Sequence, residues 1–329
     1  MDRAGLIRAG DQRALAALIR ELEEGRADAA SELRALAAGR SPPFVVGITG
    51  PAGAGKSTLV DGLVERLRAR GERVGIVAVD PSSAAGRTTG AAPGAGGGAV
   101  LGDRVRMQRH ATDPGVFIRS LATRGARGGL SAGAADVIAA LGAAGYGTVL
   151  LETVGVGQAE TDVADAADVV VLVLVPGLGD DVQALKAGLL EIADVLVVNK
   201  ADRADADRAA GDLAAMLDIR RAAGAGAPRD GDAGRADVPI LRTVATSGAG
   251  LDELLGVIEL SRGPLAPARR RARAIARIQQ AALARVADEV SAALQPGGLG
   301  GSLVDDVVEG RTDPAAAAEA LMSRLGRGY

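Results

Sequence analysis

The chain has 329 residues, a formal net charge of −3 at pH 7 and 48% hydrophobic residues. This length suits one large domain with additions or two small domains, and the charge gives no general attraction to nucleic acid or to an anionic membrane. The chain has no cysteine and one histidine, His110, which excludes disulfides and thiolate metal sites and disfavours a histidine-based one. Residues 1–18 lack a signal-peptide core and no apolar run approaches a membrane span, so we expect a cytoplasmic protein.

Residues 1–40 are predicted to form a helical extension. The apolar face of the first helix repeats at helical spacing and consists of Leu15, Leu18, Ile19 and Leu22. A second helix is expected from Ser31 to Ala38, with Gly39 ending it. The following Ser-Pro-Pro run breaks the helical pattern before residue 44.

Residues 41–262 alternate between apolar runs and helical stretches, which predicts an α/β domain with a doubly wound, mostly parallel sheet. The predicted strands are Phe44–Thr49, Val74–Val79, Val116–Arg119, Val149–Glu152, Val169–Val175, Val195–Asn199 and Ile240–Ala245. The helices predicted between them include Lys56–Arg70, Ala134–Ala144 and Asp181–Ile192. Two segments rich in Gly and Ala, 84–98 and 222–239, are expected to be loops.

Residues 263–329 return to a helical pattern. An apolar stripe along one long predicted helix is formed by Ile275, Ile278, Ala282, Val286, Val290 and Leu294, and shorter helices are expected near Leu303–Glu309 and Pro314–Leu325. Because the stripe needs a partner surface, this region is predicted to form a homodimer. The Arg-rich run 268–277 is interpreted as a solvated helix face, since no aromatic residue accompanies it and the chain is net negative.

The stretch GPAGAGKST, Gly50 to Thr58, matches the pattern G-x-x-x-x-G-K-[ST] between a predicted strand and a predicted helix. Glycines let backbone N–H groups converge on a phosphate, and the helix N-terminus adds partial positive charge. Lys56 is one of only three lysines, which disfavours a plain Gly-rich turn. The residues expected to hold the nucleotide and its Mg²⁺ here are Gly50, Ala52, Gly53, Ala54, Gly55, Lys56, Ser57 and Thr58.

A second motif, NKAD, follows a predicted strand and contains Asn199, Lys200 and Asp202. A carboxylate placed there can accept both N1–H and the exocyclic amino group of guanine, whereas adenine offers no such pair. The only Asn of the chain and its third Lys coincide in this motif, which disfavours a plain charged loop. A turn at a later strand end is expected to complete the base pocket with Ser247, Gly248 and Ala249, although ordinary turns have the same composition.

Three acidic residues are candidates for the chemistry. Glu152 ends a buried strand and is followed by a flexible turn, ETVGVGQAE, which is either a simple exit from the strand or a loop that responds to a phosphate. Asp80, in VDPSS, is a candidate for Mg²⁺ or its water, with a turn cap as the alternative. Asp103 lies in LGDRVRM, a run that alone predicts the start of a helix.

The stretches GPAGAGKST, VDPSS, GGAVLGDRVRM, VFIRSLATRG, ETVGVGQAE, VPGLGDDVQALKAG and NKAD occur in this order. Together they resemble the MeaB/ArgK family of P-loop GTPases, the methylmalonyl-CoA mutase-associated chaperones. The resemblance implies a GTPase that uses Mg²⁺, binds GTP and releases GDP. Its implied metal ligands are Ser57, Asp80, Asp103 and Glu152, its catalytic residues are Lys56, Asp103, Glu152 and Gln158, and its partner-facing switch contains Asp180, Gln183 and Lys186.

Members of this family are homodimers that guard a B12-dependent acyl-CoA mutase, gate the loading of adenosylcobalamin and release damaged cofactor. The expected partners are therefore such a mutase, of the methylmalonyl-CoA mutase type, and a cobalamin adenosyltransferase. One alternative, a metallochaperone GTPase for another metalloenzyme, needs Cys or His ligands that the chain lacks. The other, a transport-type ATPase or kinase, is opposed by Asp202 and by Pro51, where partition-type ATPases carry a second lysine.

Overall fold

The computed structural model describes residues 2–80, 108–122, 131–153, 163, 166–177, 187–222, 238–262, 266–295 and 297–326. Three helices come first: α1 (Arg3–Arg8), α2 (Gln12–Glu23) and α3 (Ala27–Ala37). The Asp11 carboxylate caps α2, and the buried face of α2 is the one predicted. Helix α3 begins four residues earlier than predicted, because the Ser31 hydroxyl donates to the Ala27 carbonyl within the helix and does not cap it.

Seven strands form one sheet, and every pairing in it is parallel. The strands are β1 (Phe44–Thr49), β2 (Val74–Asp80), β3 (Val116–Ala122), β4 (Thr148–Thr153), β5 (Val169–Leu174), β6 (Val195–Asn199) and β7 (Ile240–Thr243). Their order is β3-β2-β4-β1-β5-β6-β7, which confirms the doubly wound parallel sheet. Strand β3 runs three residues beyond its predicted end because it pairs with β2 along its whole length.

Helices cover both faces of the sheet, which explains why the central strands are apolar without alternation. The helices of this part are α4 (Lys56–Ala69), α5 (Ser131–Ala143), α6 (Ala187–Ile192), α7 (Ala206–Ala222) and α8 (Leu251–Leu260). Helices α4 and α8 pack on one face, and α2, α3 and α5 pack on the other. Helices α6 and α7 continue that second face over β5 and β6. Residues 181–186 of one predicted helix lie outside the described residues.

The carboxylates of two aspartates form hydrogen bonds that join the starts of neighbouring strands. The Asp168 carboxylate, just before β5, accepts from the Val45 N–H of β1 at 2.8 Å, and the two backbones pair again through Asp168 N–H and Val45 C=O. Asp194, just before β6, accepts from the Val170 N–H of β5 in the same way at 2.8 Å. The carboxylates thus satisfy strand-end donors that have no further ladder partner.

The chain divides into two compact units, residues 1–274 and 275–329. The helices of the carboxyl-terminal part are α9 (Ala266–Ala293), α10 (Gly301–Val308) and α11 (Pro314–Leu325). Ala293, Leu303 and Leu321 form a small core in the second unit. The domain limits 1–40, 41–262 and 263–329 stay predictions. In the parts of the chain that the structure describes, no helix combines the length and the apolar character needed to cross a membrane.

Asp168→Ala is expected to lower the free energy of unfolding by about 1–3 kcal/mol, because it leaves the Val45 N–H without its acceptor in a buried place. Asp168→Asn keeps an acceptor oxygen of nearly the same shape and should cost clearly less. Urea unfolding followed by circular dichroism measures both. Equal losses for the two variants would contradict the role given to this carboxylate.

Candidate nucleotide-binding site

The phosphate loop connects β1 to α4 and has the strand–loop–helix context that its motif requires. The backbone at Gly50 and Gly55 has positive φ values of 138° and 89°. A Cβ on Gly50 would lie 2.1 Å from the Val173 carbonyl oxygen, and one on Gly55 would lie 2.4 Å from Asn199 Nδ2. Glycine is therefore required at both positions by close contact as well as by backbone conformation.

The Lys56 ammonium forms hydrogen bonds with the phosphate loop. Lys56 is the first residue of α4 and is buried. Its Nζ donates to the carbonyl oxygens of Gly50 and Pro51 at 2.8 and 2.9 Å. The positive charge is thus fixed beside the loop by two acceptors, at the helix end that favours anions.

Ser57 and Glu152 meet at the carboxyl edge of the sheet. The Ser57 hydroxyl donates to Glu152 Oε1 at 2.6 Å, and both residues are buried. Glu152 lies near the end of β4, opposite Ile48 of β1 and Ala78 of β2. A hydroxyl and a carboxylate are hard oxygen ligands of the kind that Mg²⁺ prefers, so this pair fits the metal that the motif implies.

The side chains of the remaining predicted metal-binding and switch residues lie outside what the structure describes. Asp80 ends β2, but only its backbone is described. Asp103, Gln158, Asp180, Gln183 and Lys186 lie outside the described residues. Among the described residues alone, no group of three or more acidic or histidine side chains could hold a metal ion.

Asn199, the last residue of β6, connects the phosphate loop to the end of β7 and the turn that follows it. Its Nδ2 donates to the Ala54 carbonyl at 2.8 Å. Its Oδ1 accepts from Thr243 Oγ1 and from the Ala245 N–H, each at 3.1 Å. In this structure the polar atoms of Asn199 therefore bind three protein groups from two segments of the chain, the phosphate loop and the end of β7.

Lys200 and Asp202 follow at the same edge. Among the described residues Lys200 is the one non-glycine residue with positive φ, at 56°, and its Nζ donates to the Gly53 carbonyl at 3.0 Å. The Asp202 side chain is exposed. The NKAD motif thus contacts the phosphate loop through two residues and leaves its carboxylate accessible to a ligand.

The predicted base loop is a tight turn after β7. Val244 N–H donates to the Ala249 carbonyl, and the N–H groups of Ser247 and Gly248 both donate to the Val244 carbonyl. Gly248 has φ of 80°. Ser247 and Ala249 are exposed, and Asn199 holds the start of the turn at Ala245.

Sequence reasoning assigned no role to the single histidine. In the structure His110 closes a short 3₁₀ helix, Gln108–His110, and its buried Nε2 lies 2.6 Å from Asp61 Oδ1 on α4. Arg109 binds the same carboxylate and also Glu65, one helical turn further on. Burial and the Arg109 guanidinium hold the pKa of His110 below its ordinary value, so the neutral ring can donate to Asp61. No local pattern could have indicated this contact.

Comparison with known proteins identifies the family. The family model described as methylmalonyl-CoA mutase-associated GTPase MeaB matches residues 13–295. The chain belongs to the MeaB family. Like its relatives it is a GTPase. A protein of Pyrococcus horikoshii that is provisionally described as a GTPase is 42% identical over 325 residues, which cover 97% of this chain and 96% of that protein.

Two further similarities concern a mutase and a solved structure. A fused isobutyryl-CoA mutase of Cupriavidus metallidurans is 40% identical over 218 residues, which are 65% of this chain and 19% of that protein. The crystal structure of a LAO/AO transport system kinase superposes with a TM-score of 0.69 at 23% identity, covering 98% of this MeaB-family chain and 96% of that one. At this identity the structural likeness supports the fold alone.

Asn199→Ala is expected to lower the free energy of unfolding of this MeaB-family GTPase by about 2 kcal/mol, because it removes the partner of two donors and one carbonyl in a buried place. Lys200→Met is the matched control, since it removes one exposed hydrogen bond to the same loop and should cost less than about 1 kcal/mol. Both are measured by urea unfolding without nucleotide. Equal costs would show that Asn199 is not the connector of the site.

Proposed function

We propose that this GTPase is a chaperone of a coenzyme B12-dependent acyl-CoA mutase of the methylmalonyl-CoA mutase type. The observation that carries the proposal is the family match over residues 13–295. The fused isobutyryl-CoA mutase supports it independently, because in that protein a region similar to this chain belongs to the same polypeptide as a mutase.

The proposed hydrolytic site combines the buried groups at the sheet edge. Lys56 would exchange its loop carbonyls for the β- and γ-phosphates of GTP and stabilise the charge that develops on the transferred group. Ser57 and Glu152, together with Asp80 and Asp103, are the residues that would hold Mg²⁺, whose charge neutralises the phosphate oxygens. Gln158 is proposed to orient the attacking water.

The proposed base site reads guanine by complementary hydrogen bonds. The accessible Asp202 carboxylate would accept from N1–H and the exocyclic amino group, with Asn199 and Lys200 fixing it to the phosphate loop. Ser247, Gly248 and Ala249 would line the O6 side of the base. GTP is the substrate and GDP the product.

The partner-facing switch is proposed to contain Asp180, Gln183 and Lys186. Its nucleotide-dependent contact with the mutase would gate adenosylcobalamin loading and release of damaged cofactor, with a cobalamin adenosyltransferase as the supplier of new cofactor. We place this cycle in the cytoplasm. The family relationship supports the mutase partner, and the gating steps extend the proposal beyond it.

Turnover of GTP is expected to be slow for the protein alone and to rise on addition of the mutase, by as much as about 10³-fold if the partner orders the switches as activating partners do in other GTPases. Lys56→Ala should abolish turnover in both conditions. Lys186→Ala should keep the basal rate and reduce the stimulation, because it changes coupling and not the nucleotide site. Phosphate release measured with and without mutase tests this, and an unstimulated wild type would refute the chaperone proposal.

We also propose that the protein is a homodimer through the carboxyl-terminal helices. Large apolar side chains of the predicted stripe lie exposed in the single chain, among them Ile275, Ile278, Val286 and Leu294. Exposed apolar surface of this extent along one helix is typical of an interface.

Ile278→Asp is therefore expected to convert a dimer into a monomer, because a carboxylate would have to be desolvated in the interface. Ile219→Asp on α7 is the matched control, since Ile219 and Ile278 are both 69% exposed and Ile219 lies outside the stripe. Light scattering of the three full-length proteins gives their masses. A mass of one chain for wild type, or of two chains for Ile278→Asp, would contradict the proposed interface.

A further inference from the structure

Arg66 links the phosphate-loop helix to the base loop. It lies on α4, and its Nη2 donates to the Gly248 carbonyl at 2.9 Å. The same guanidinium binds the Asp252 carboxylate at the start of α8 through two hydrogen bonds of 2.8 and 3.2 Å. The Arg66 side chain is 21% exposed and Asp252 is 78% exposed, so the carboxylate orients the guanidinium from the solvent side.

The base loop is shaped to receive this arginine. A Cβ on Gly248 would lie 2.9 Å from Arg66 Nη2, and the positive φ of 80° independently requires glycine. The guanidinium is thus in close contact with Gly248, and the backbone conformation is the stronger reason for glycine there, because the end of an arginine side chain can move. Because it binds a backbone carbonyl, Arg66 acts on the path of the loop directly and not through a loop side chain.

A fixed carbonyl also fixes the direction of the next N–H. In a trans peptide the C=O and the following N–H point in opposite directions. The Gly248 carbonyl accepts from Arg66 Nη2 and, at 3.3 Å, from the Leu251 N–H, so the Ala249 N–H points away from Arg66. Asn199 holds the other side of the turn through the Ala245 N–H, so the exposed residues between these two contacts are held from both ends.

We propose that Arg66 is a positioning residue for guanine recognition, which holds the loop 246–249 so that the Ala249 N–H donates to guanine O6. This inference rests on the proposed placement of Asp202 and the base loop around guanine. Arg66 is ten residues beyond Lys56 on the same helix, about 15 Å along its axis. One rigid helix would thus set the distance between the phosphate groups and the O6 side of the base.

Arg66 could instead serve only to attach α8 to α4. The chain provides a control for that role, because Arg70 of α4 also forms an ion pair with α8, through Glu259, and in the described part of the chain it has no hydrogen bond to the base loop. A purely structural role predicts similar consequences for the loss of either arginine. A positioning role predicts a selective change in how the base is read.

The test compares Arg66→Met with Arg70→Met in the full-length protein, using GDP and two analogues as probes. Inosine diphosphate lacks the exocyclic amino group that Asp202 would read, and 2-aminopurine riboside diphosphate lacks O6 and, with it, N1–H. Calorimetry gives the three dissociation constants. Arg66→Met is expected to reduce the preference for GDP over the 2-aminopurine nucleotide by about tenfold, the effect of one directed hydrogen bond, and to leave the preference over inosine diphosphate within about twofold.

Three further measurements complete the design. Asp202→Asn should lose the preference over inosine diphosphate, which Arg66→Met keeps, and should also lose part of the preference over the 2-aminopurine nucleotide, because that analogue lacks N1–H. Arg66→Met should raise the KM for GTP while kcat stays within about twofold, because the phosphate loop is untouched. Asp252→Ala removes the exposed carboxylate that orients Arg66 and should reproduce a smaller part of the same change, which keeps the proposal testable if Arg66→Met folds poorly.

Equal behaviour of Arg66→Met and Arg70→Met overturns the inference, and so does an equal loss of both base preferences in Arg66→Met. Neither result would count against the proposal that the wild-type protein recognises guanine. A wild type that prefers GDP over neither analogue overturns the proposed guanine site itself, and with it the role of Arg66.

Discussion

The buried amide of Asn199 is the contact that holds together the phosphate loop and the turn after β7, between which we propose that the nucleotide binds. An amide supplies a donor to the Ala54 carbonyl and, from its oxygen, an acceptor for two further groups. An aspartate here would have no donor for the loop carbonyl and would bring a buried charge against it. Because Gly55 has no side chain, the amide can approach the phosphate loop closely enough to hold it.

Helix α4 provides the second constraint. Its first turn carries Lys56 and Ser57, and its later turns bind the segment before β3 and the base loop. Asp61 holds Arg109 and His110, Arg66 holds the base loop, and Arg68 forms a two-bond pair with Asp113 before β3. The Arg68 guanidinium and the Gly115 N–H lower the pKa of Asp113, so the ion pair between Arg68 and Asp113 persists well below neutral pH. A helix fixed at so many points is a stable reference against which nucleotide-dependent loops can move.

Glu152 lies where this fixed part of the site meets the part that is proposed to switch. It is buried and bound to Ser57, and in the sequence it lies two residues before the glycine-containing stretch 154–160. A change in the groups that Ser57 binds would therefore change the contacts of Glu152 near the end of β4. The Ser57–Glu152 hydrogen bond therefore joins the phosphate loop to the strand from which the proposed second switch begins.

Local sequence patterns determined much of this protein. Apolar runs located all seven strands, with β1 and β6 correct to the residue, and the phosphate-loop pattern located the loop and the start of α4. These features follow from short-range periodicity and from glycine, so they can be predicted without knowing the neighbours. The predicted start of α3 at Ser31 was wrong, because the Ser31 hydroxyl forms a hydrogen bond inside the helix. Local composition does not distinguish a serine inside a helix from one that caps it.

Only the tertiary structure decided the strand order and the contacts between distant segments. Arg66 meets Gly248 across 182 positions, and Ser57 meets Glu152 across 95. Among 38 basic residues nothing in the sequence distinguishes Arg66 from Arg70, although only Arg66 is placed to bind the loop. Such contacts depend on which strands lie side by side, and parallel crossovers bring together residues whose local patterns are independent of one another.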